Sequence, residues 1–219
     1  LMNQPVTPEE KQHKLRFGTG AGLEPELHAP FEERFGFPLV EVWGMTETGR
    51  VLADCHEPRR IDTRAFGKPL AGLEARVVDD DDNDVGPDAD GELLVRYNAE
   101  KPRKHFFSGY LKNEEETEKS WRGGWFHTGD TVRQGEDGML YFVDRKKNII
   151  RRSGENIAAA EIEACLQSHD QVAQVAVLPV EDEIRDEEVL ACIVAMPGAP
   201  ADAAQARALF DWCFARQAY

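Results

Sequence analysis

Between Ala65 and Asp144 the chain breaks into short strand-like stretches, Glu74–Val78, Glu92–Arg96, Thr131–Gln134 and Leu140–Val143, with turn-forming residues between them. Runs this short, each bounded by turn residues, are strands and cannot be long helices. The middle of the chain is therefore expected to form an antiparallel sheet or small barrel. The run Asp79-Asp80-Asp81-Asp82-Asn83-Asp84 falls between two of these strands and reads as a solvated loop.

The flanking segments follow another rhythm. Leu15–Thr19 reads as a short buried strand, Gly20-Ala21-Gly22 as a turn, and Glu24-Pro25-Glu26-Leu27 as a helix start, with proline and acidic residues where the first turn favours them. Leu27, Phe31, Arg34 and Phe35 keep helical spacing, Gly36 ends the helix, and Pro38–Trp43 supplies a further strand. After Arg145 the pattern returns to mixed elements. Asn156 is expected to cap a helix whose apolar face is Ala158, Ile162, Cys165 and Leu166; Val172–Leu178 and Val189–Met196 read as strands, and Ala203–Ala215 as a closing helix. The fold class is mixed α/β. Its expected domains are 1–144, with an α/β part over 1–64 and a β subdomain over 65–144, and a small α/β domain over 145–219.

The formal net charge of -15 disfavours nonspecific binding to nucleic acid or anionic membranes, because phosphate contacts need a basic surface. The only basic cluster, Arg145, Lys146, Lys147, Arg151 and Arg152, is short and lacks interleaved aromatics, so no nucleic-acid partner is expected. No apolar run is long enough to span a bilayer, and Leu1-Met2-Asn3-Gln4-Pro5 lacks the basic and apolar regions of a signal peptide, which gives a cytoplasmic expectation. Cys55, Cys165, Cys192 and Cys213 are widely separated and suggest neither a zinc site nor a disulfide framework.

Four segments occur in one order: Glu41-Val42-Trp43-Gly44-Met45-Thr46-Glu47-Thr48-Gly49, Gly123-Gly124-Trp125-Phe126-His127-Thr128-Gly129-Asp130, Asp144-Arg145-Lys146-Lys147-Asn148-Ile149-Ile150 and Ser153-Gly154-Glu155-Asn156. Together they resemble the adenylate-forming (AMP-binding) superfamily of acyl-CoA synthetases, luciferases and peptide-synthetase adenylation domains. The resemblance implies the end of a large N-terminal adenylate-forming domain, including the antiparallel β subdomain, followed by the small C-terminal domain. It covers about Leu15 to Tyr219. The family's phosphate loop and its late catalytic lysine have no counterpart here, so the chain is expected to be the later part of such an enzyme, truncated at both ends and inactive in adenylation by itself.

The implied chemistry is ATP-dependent ligation of a small carboxylic acid to CoA, in the setting of fatty acid metabolism, with ATP/AMP and Mg²⁺ as cofactors and CoA as co-substrate. Positioning and charge stabilisation carry such a reaction without an enzyme nucleophile. The resemblance implies that Gly20, Ala21 and Gly22 approach adenine with their backbone and that Trp43, followed by Gly44, lies against the base. It makes Thr46 and Glu47 the catalytic pair, Thr46 touching phosphate and Glu47 helping to hold Mg²⁺. Asp130 would accept both ribose hydroxyls, Arg145 would reach the same ribose, Lys147 would be the interdomain hinge, and Ser153, Gly154 and Glu155 would border the passage for the CoA thiol arm. Many relatives carry two glycines where this chain has Ser153-Gly154.

Taken one at a time these residues admit plainer roles: Trp43 a core aromatic, Thr46-Glu47 a helix start, Gly20–Gly22 and Gly129-Asp130 tight turns, Arg145 a surface charge, and Ser153–Asn156 a loop leading to a helix. His127 has no second ligand at metal spacing and reads as structural. The acceptor could instead be a carrier protein, and a noncatalytic adenylate-binding module is the alternative from another class. The acid is not legible; certain relatives acting on carnitine-like acids share the Trp-Gly-Met-Thr-Glu and Gly-Glu-Asn segments. Self-association into a homo-oligomer is left open.

Overall fold

The computed structural model describes residues 1–49 and 51–216, so the last residues of the expected small domain, 217–219, lie outside the described part. The chain forms two compact units, Leu1–Val143 and Asp144–Tyr219. Helices and antiparallel sheets occur in both, as the mixed α/β class requires.

In the first unit a short strand β1 (Gly18–Gly20) leads into helix α1 (Pro25–Phe35) and strand β2 (Leu39–Gly44). Pro25 and Glu26 open α1, and Gly36 closes it in the left-handed conformation at φ 76°. The first strand is later than the sequence suggests: Leu15 and Phe17 are 58% and 60% exposed, because pairing with β2 begins only at Gly18↔Leu39. β1 and β2 are parallel, and β3 (Val51–Ala53) adds an antiparallel edge.

The β region is a five-stranded sheet. Its strands are β4 (Ala65–Gly67), β5 (Glu74–Val78), β6 (Asp90–Arg96), β7 (Phe126–Gln134) and β8 (Leu140–Arg145), in the order β4-β8-β7-β6-β5; helix α2 (Glu114–Ser120) lies between β6 and β7 in the chain. The acidic run is a loop, as expected, in which Asp79 Oδ1 accepts from the backbone N–H groups of Asp81 and Asn83, both at 2.9 Å. Trp43, Leu52, Phe66, Leu73, Val77, Leu93, Val95, Trp121, Phe126, Val132 and Leu140 share one core, so the two sheets of this unit are welded by apolar burial.

The second unit is a four-stranded antiparallel sheet covered by helices. After β9 (Ile149–Arg152) and β10 (Glu155–Ala158) come α3 (Ala159–Gln167), β11 (Val172–Asp182), β12 (Asp186–Ala195) and α4 (Ala203–Phe214), with strand order β10-β9-β12-β11. Asn156 does not cap α3. Arg152↔Glu155 pairing closes a two-residue hairpin through Ser153 (φ 52°) and Gly154 (φ 85°), which draws Asn156 into β10. The helix start is served from elsewhere: buried Asp144 accepts from the Ala160 N–H at 2.9 Å through Oδ2. Arg152 Nε reaches Glu188 at 2.9 Å across β9 and β12, and Arg152 and Arg185 together hold the Glu188 carboxyl down at about 2.

The four cysteines are free thiols, and burial with a hydrogen bond to Cys165 pushes the Cys213 thiol up to about 12. Among the described residues no helix is long and apolar enough to cross a membrane. Leu93 is fully buried at the centre of β6, opposite Val77. Leu93→Ala is expected to lower unfolding stability by about 3 kcal/mol, the usual scale for opening a cavity at such a site, as measured by the shift of the urea midpoint.

Candidate functional site

Strand β2 organises the site because its alternation turns two non-aliphatic side chains inward. Glu41 is 8% exposed and Trp43 is 6% exposed, while Gly44 lies at the open end of the strand. Both carboxylate oxygens of Glu41 accept backbone N–H groups from the loop after β1, Gly22 N at 2.7 Å and Leu23 N at 3.0 Å. Glu41 thus fixes the Gly20-Ala21-Gly22 loop. Burial raises its carboxyl from the ordinary 4.5, working against those two donors and against His28 and Arg64. Gly22 has φ 68°, and a Cβ there would meet no atom within 4 Å, so the loop shows bare backbone to open space.

Two residues further along, the Trp43 indole Nε1–H donates to Oδ2 of Asp130 at 2.8 Å. Asp130 is 2% exposed and belongs to β7, which begins at Phe126 and so includes the whole Thr128-Gly129-Asp130 segment. That segment is a bulge. Leu94 faces His127 and Glu92 faces Thr131, leaving Thr128, Gly129 and Asp130 opposite the single residue Leu93. Its inner ties are explicit: Thr128 Oγ1 donates to Leu93 O at 2.7 Å and accepts from Asp130 N at 3.1 Å, and Gly129 N donates to Glu92 Oε1 at 3.2 Å. Gly129 has φ 69°, and a Cβ added to it would also meet nothing within 4 Å. His127 is buried with its Nδ1 3.4 Å from Glu92 Oε2, in keeping with a structural part.

Beyond β2 the chain turns tightly. Thr48 N–H donates to Met45 O at 3.1 Å and the Thr48 hydroxyl donates to the same oxygen at 2.9 Å, which leaves Thr46 exposed on the turn. Glu47 is half-buried; its backbone oxygen accepts from Phe107 N at 2.8 Å and its Oε1 from the Tyr110 hydroxyl at 3.3 Å. Burial, then the Glu47 charge, pushes the Tyr110 hydroxyl up, so it stays a donor to Glu47. Among the described residues no group of three or more His, Cys, Asp or Glu could hold a metal ion.

In the second unit Arg145 and Lys147 are exposed beside the buried Asp144, whose Oδ1 accepts from Arg145 N at 2.6 Å and from Asn148 Nδ2 at 3.2 Å. Ser153, Gly154 and Glu155 form the exposed tip and first strand residue of the β9–β10 hairpin. The structure therefore brings Gly20–Gly22, Trp43 and Asp130 onto one bonded framework around β2 and carries Thr46 and Glu47 on the turn that follows it.

The sequence profile of AMP-binding enzymes matches residues 1–111, and that of the AMP-binding enzyme C-terminal domain matches residues 161–218. The chain belongs to the AMP-binding enzyme family. It is 37% identical over 215 residues to the crotonobetaine/carnitine–CoA ligase of Proteus mirabilis (strain HI4320), covering 97% of this chain and 40% of that protein. The o-succinylbenzoate CoA synthetase (MenE) of Bacillus subtilis, solved in complex with the acyl-adenylate intermediate OSB-AMP, superposes with a TM-score of 0.76 at 30% identity, over 93% of this chain and 40% of that one. MatB from Rhodopseudomonas palustris with ATP bound gives a TM-score of 0.75 at 27% identity, over 92% and 39%. The chain thus spans about 40% of the length of these relatives.

Within this AMP-binding framework, sequence reasoning assigned no role to Glu41, Tyr110, Glu92 or Thr128. For Glu41 a signal existed: an acid in phase with Trp43 on a strand is a carboxylate aimed at the core, and such groups are rarely without a task. Because folding raises the Glu41 carboxyl, the contribution of that group is complete below 4.5 and is lost as pH rises through the raised value. Comparing urea midpoints of the protein and Glu41→Gln from below 4.5 up to neutrality, the stability of the protein relative to the variant is expected to fall with rising pH.

Proposed function

We propose that this chain carries the nucleotide-holding part of an ATP-dependent carboxylate:CoA ligase. In the first step a substrate carboxylate oxygen attacks the α-phosphorus of ATP, forming the acyl-adenylate and releasing pyrophosphate. In the second the CoA sulfur attacks the acyl carbon, the thioester forms, and AMP leaves with the bond electrons. Neither step needs an enzyme nucleophile, so the task of the protein is to hold and orient.

The observation that carries the reading is the bulge of β7, in which Asp130, with one carboxylate oxygen fixed by Trp43, follows directly on the left-handed Gly129, whose missing side chain leaves open space. A carboxylate accepts two hydroxyl donors readily, and a ribose offers two. The Gly20–Gly22 loop, pinned by Glu41, is assigned to the base with Trp43 and Gly44 below it; Thr46 is assigned to a phosphate oxygen. Arg145 is assigned to the ribose, Lys147 to the hinge, and Ser153, Gly154 and Glu155 to the path of the CoA arm. Glu47 supplies a hard oxygen that fits Mg²⁺, a metal held chiefly by phosphates and water, which when bound would neutralise phosphate charge. A cytoplasmic setting, with ATP and CoA supplied, belongs to this reading.

The acid is proposed to be small. The crotonobetaine/carnitine–CoA ligase likeness favours a short polar acid. In the intact gene product, carboxylate-dependent release of AMP and pyrophosphate with thioester formation is expected. Asp130→Ala should reduce it by roughly a hundredfold, the scale of a lost bond to a charged group. ADP as the product, or turnover indifferent to the carboxylate, would contradict the assignment.

A further inference from the structure

Trp43 is assigned to adenine by its position in the sequence, yet the structure gives its indole a second, definite occupation. The ring is 6% exposed and packs in the core, tilted 32° to the Phe66 ring at 6.0 Å. Its one polar atom is aimed away from that apolar neighbourhood, at Asp130 Oδ2. The pair is separated by 87 residues and joins β2 of the first sheet to the bulge of β7 in the second.

A bulge is a poor platform for a carboxylate because its backbone has left the regular ladder. The last torsion of an aspartate is also soft, so the plane of its oxygens is set by partners and not by an intrinsic preference. Here Thr128 Oγ1 takes the Asp130 N–H at 3.1 Å and fixes the backbone end, while the indole N–H fixes the oxygen end. Indole is a donor only, so it cannot flip roles and compete for the proton of an incoming hydroxyl. A phenylalanine would fill much of the same apolar space and leave the carboxylate plane unset.

We propose that Trp43 is a positioning residue whose Nε1–H orients the Asp130 carboxylate for the two ribose hydroxyls of the nucleotide. The proposal rests on the nucleotide reading of Asp130 given above and deepens it. The bond sets ribose discrimination, and any stacking of Trp43 on the base is a separate contribution that the same experiment separates.

The test is the ratio of dissociation constants for 2′,3′-dideoxy-AMP and AMP, measured by titration calorimetry on the protein, on Trp43→Phe, and on a form with 3-benzothienylalanine at position 43, which keeps the shape of indole and lacks only the N–H. The unaltered protein is expected to prefer AMP by about tenfold or more, the scale of hydroxyl bonds to a charged acceptor. Both substitutions should move that ratio toward one, and the benzothienyl form keeps the result readable if the phenylalanine form folds poorly. A ratio unchanged by both substitutions would overturn the proposal alone, as would equal weakening of both ligands, which is the mark of an effect on the base. A ratio near one in the unaltered protein would overturn the ribose reading of Asp130 and the proposal with it.

Discussion

A single hydrogen bond, from the Trp43 indole to the Asp130 carboxylate at 2.8 Å, is the constraint around which the first unit is arranged. Burying a carboxylate to 2% exposure is costly unless it is bonded, and an N–H reaching it from a different sheet is informative about how the sheets must sit. The apolar cluster of Phe66, Leu93, Phe126 and Leu140 brings β2 and β7 together without direction. The indole bond adds direction. It requires one register between the strand that carries Trp43 and the bulge that carries Asp130.

The same strand does this work twice. Glu41 and Trp43 are alternate residues of β2, so one face of a single element fixes both the loop after β1 and the bulge of β7. Glu41 holds the backbone of Gly22 and Leu23, and Trp43 holds the carboxylate of Asp130, next in the chain to Gly129; Gly22 and Gly129 are both left-handed, with open space where a side chain would be. A strand that fixes unclothed loops in place favours the proposed seating of a flat base and a sugar, since preorganised groups lose little freedom when the ligand arrives. The turn through Thr46 and Glu47 continues from that strand, which places the phosphate end of the reading in sequence after the base end.

Much of this was legible in the sequence where a period or a cap was present. Helix α1 follows from Pro25, the Leu27–Phe35 spacing and Gly36, and β5 matches Glu74–Val78 because alternation and flanking turns agree. β3 and β4 were missed, as three residues carry no period. So was α2, whose sequence Glu-Glu-Glu-Thr-Glu-Lys-Ser has no apolar stripe; the Asn113 cap and the buried Thr117 secure it. Asn156 misled because capping residues also suit hairpin ends, and the pairing of β9 with β10 decided its place. The candidate site residues stand out in the sequence through their company in ordered motifs, whereas the bonds that hold them, from Glu41, Thr128 and Tyr110, are tertiary facts: no local pattern says which loop N–H a strand side chain will meet.

The most direct measurement is an amide and indole ¹H–¹⁵N spectrum of the protein titrated with AMP. The account predicts that the Trp43 indole signal and the backbone signals of Gly22, Leu23, Gly129 and Asp130 move together along one saturable curve, because one ligand seats against one bonded framework. Saturable shifts confined to other residues, with these five unmoved, would contradict it.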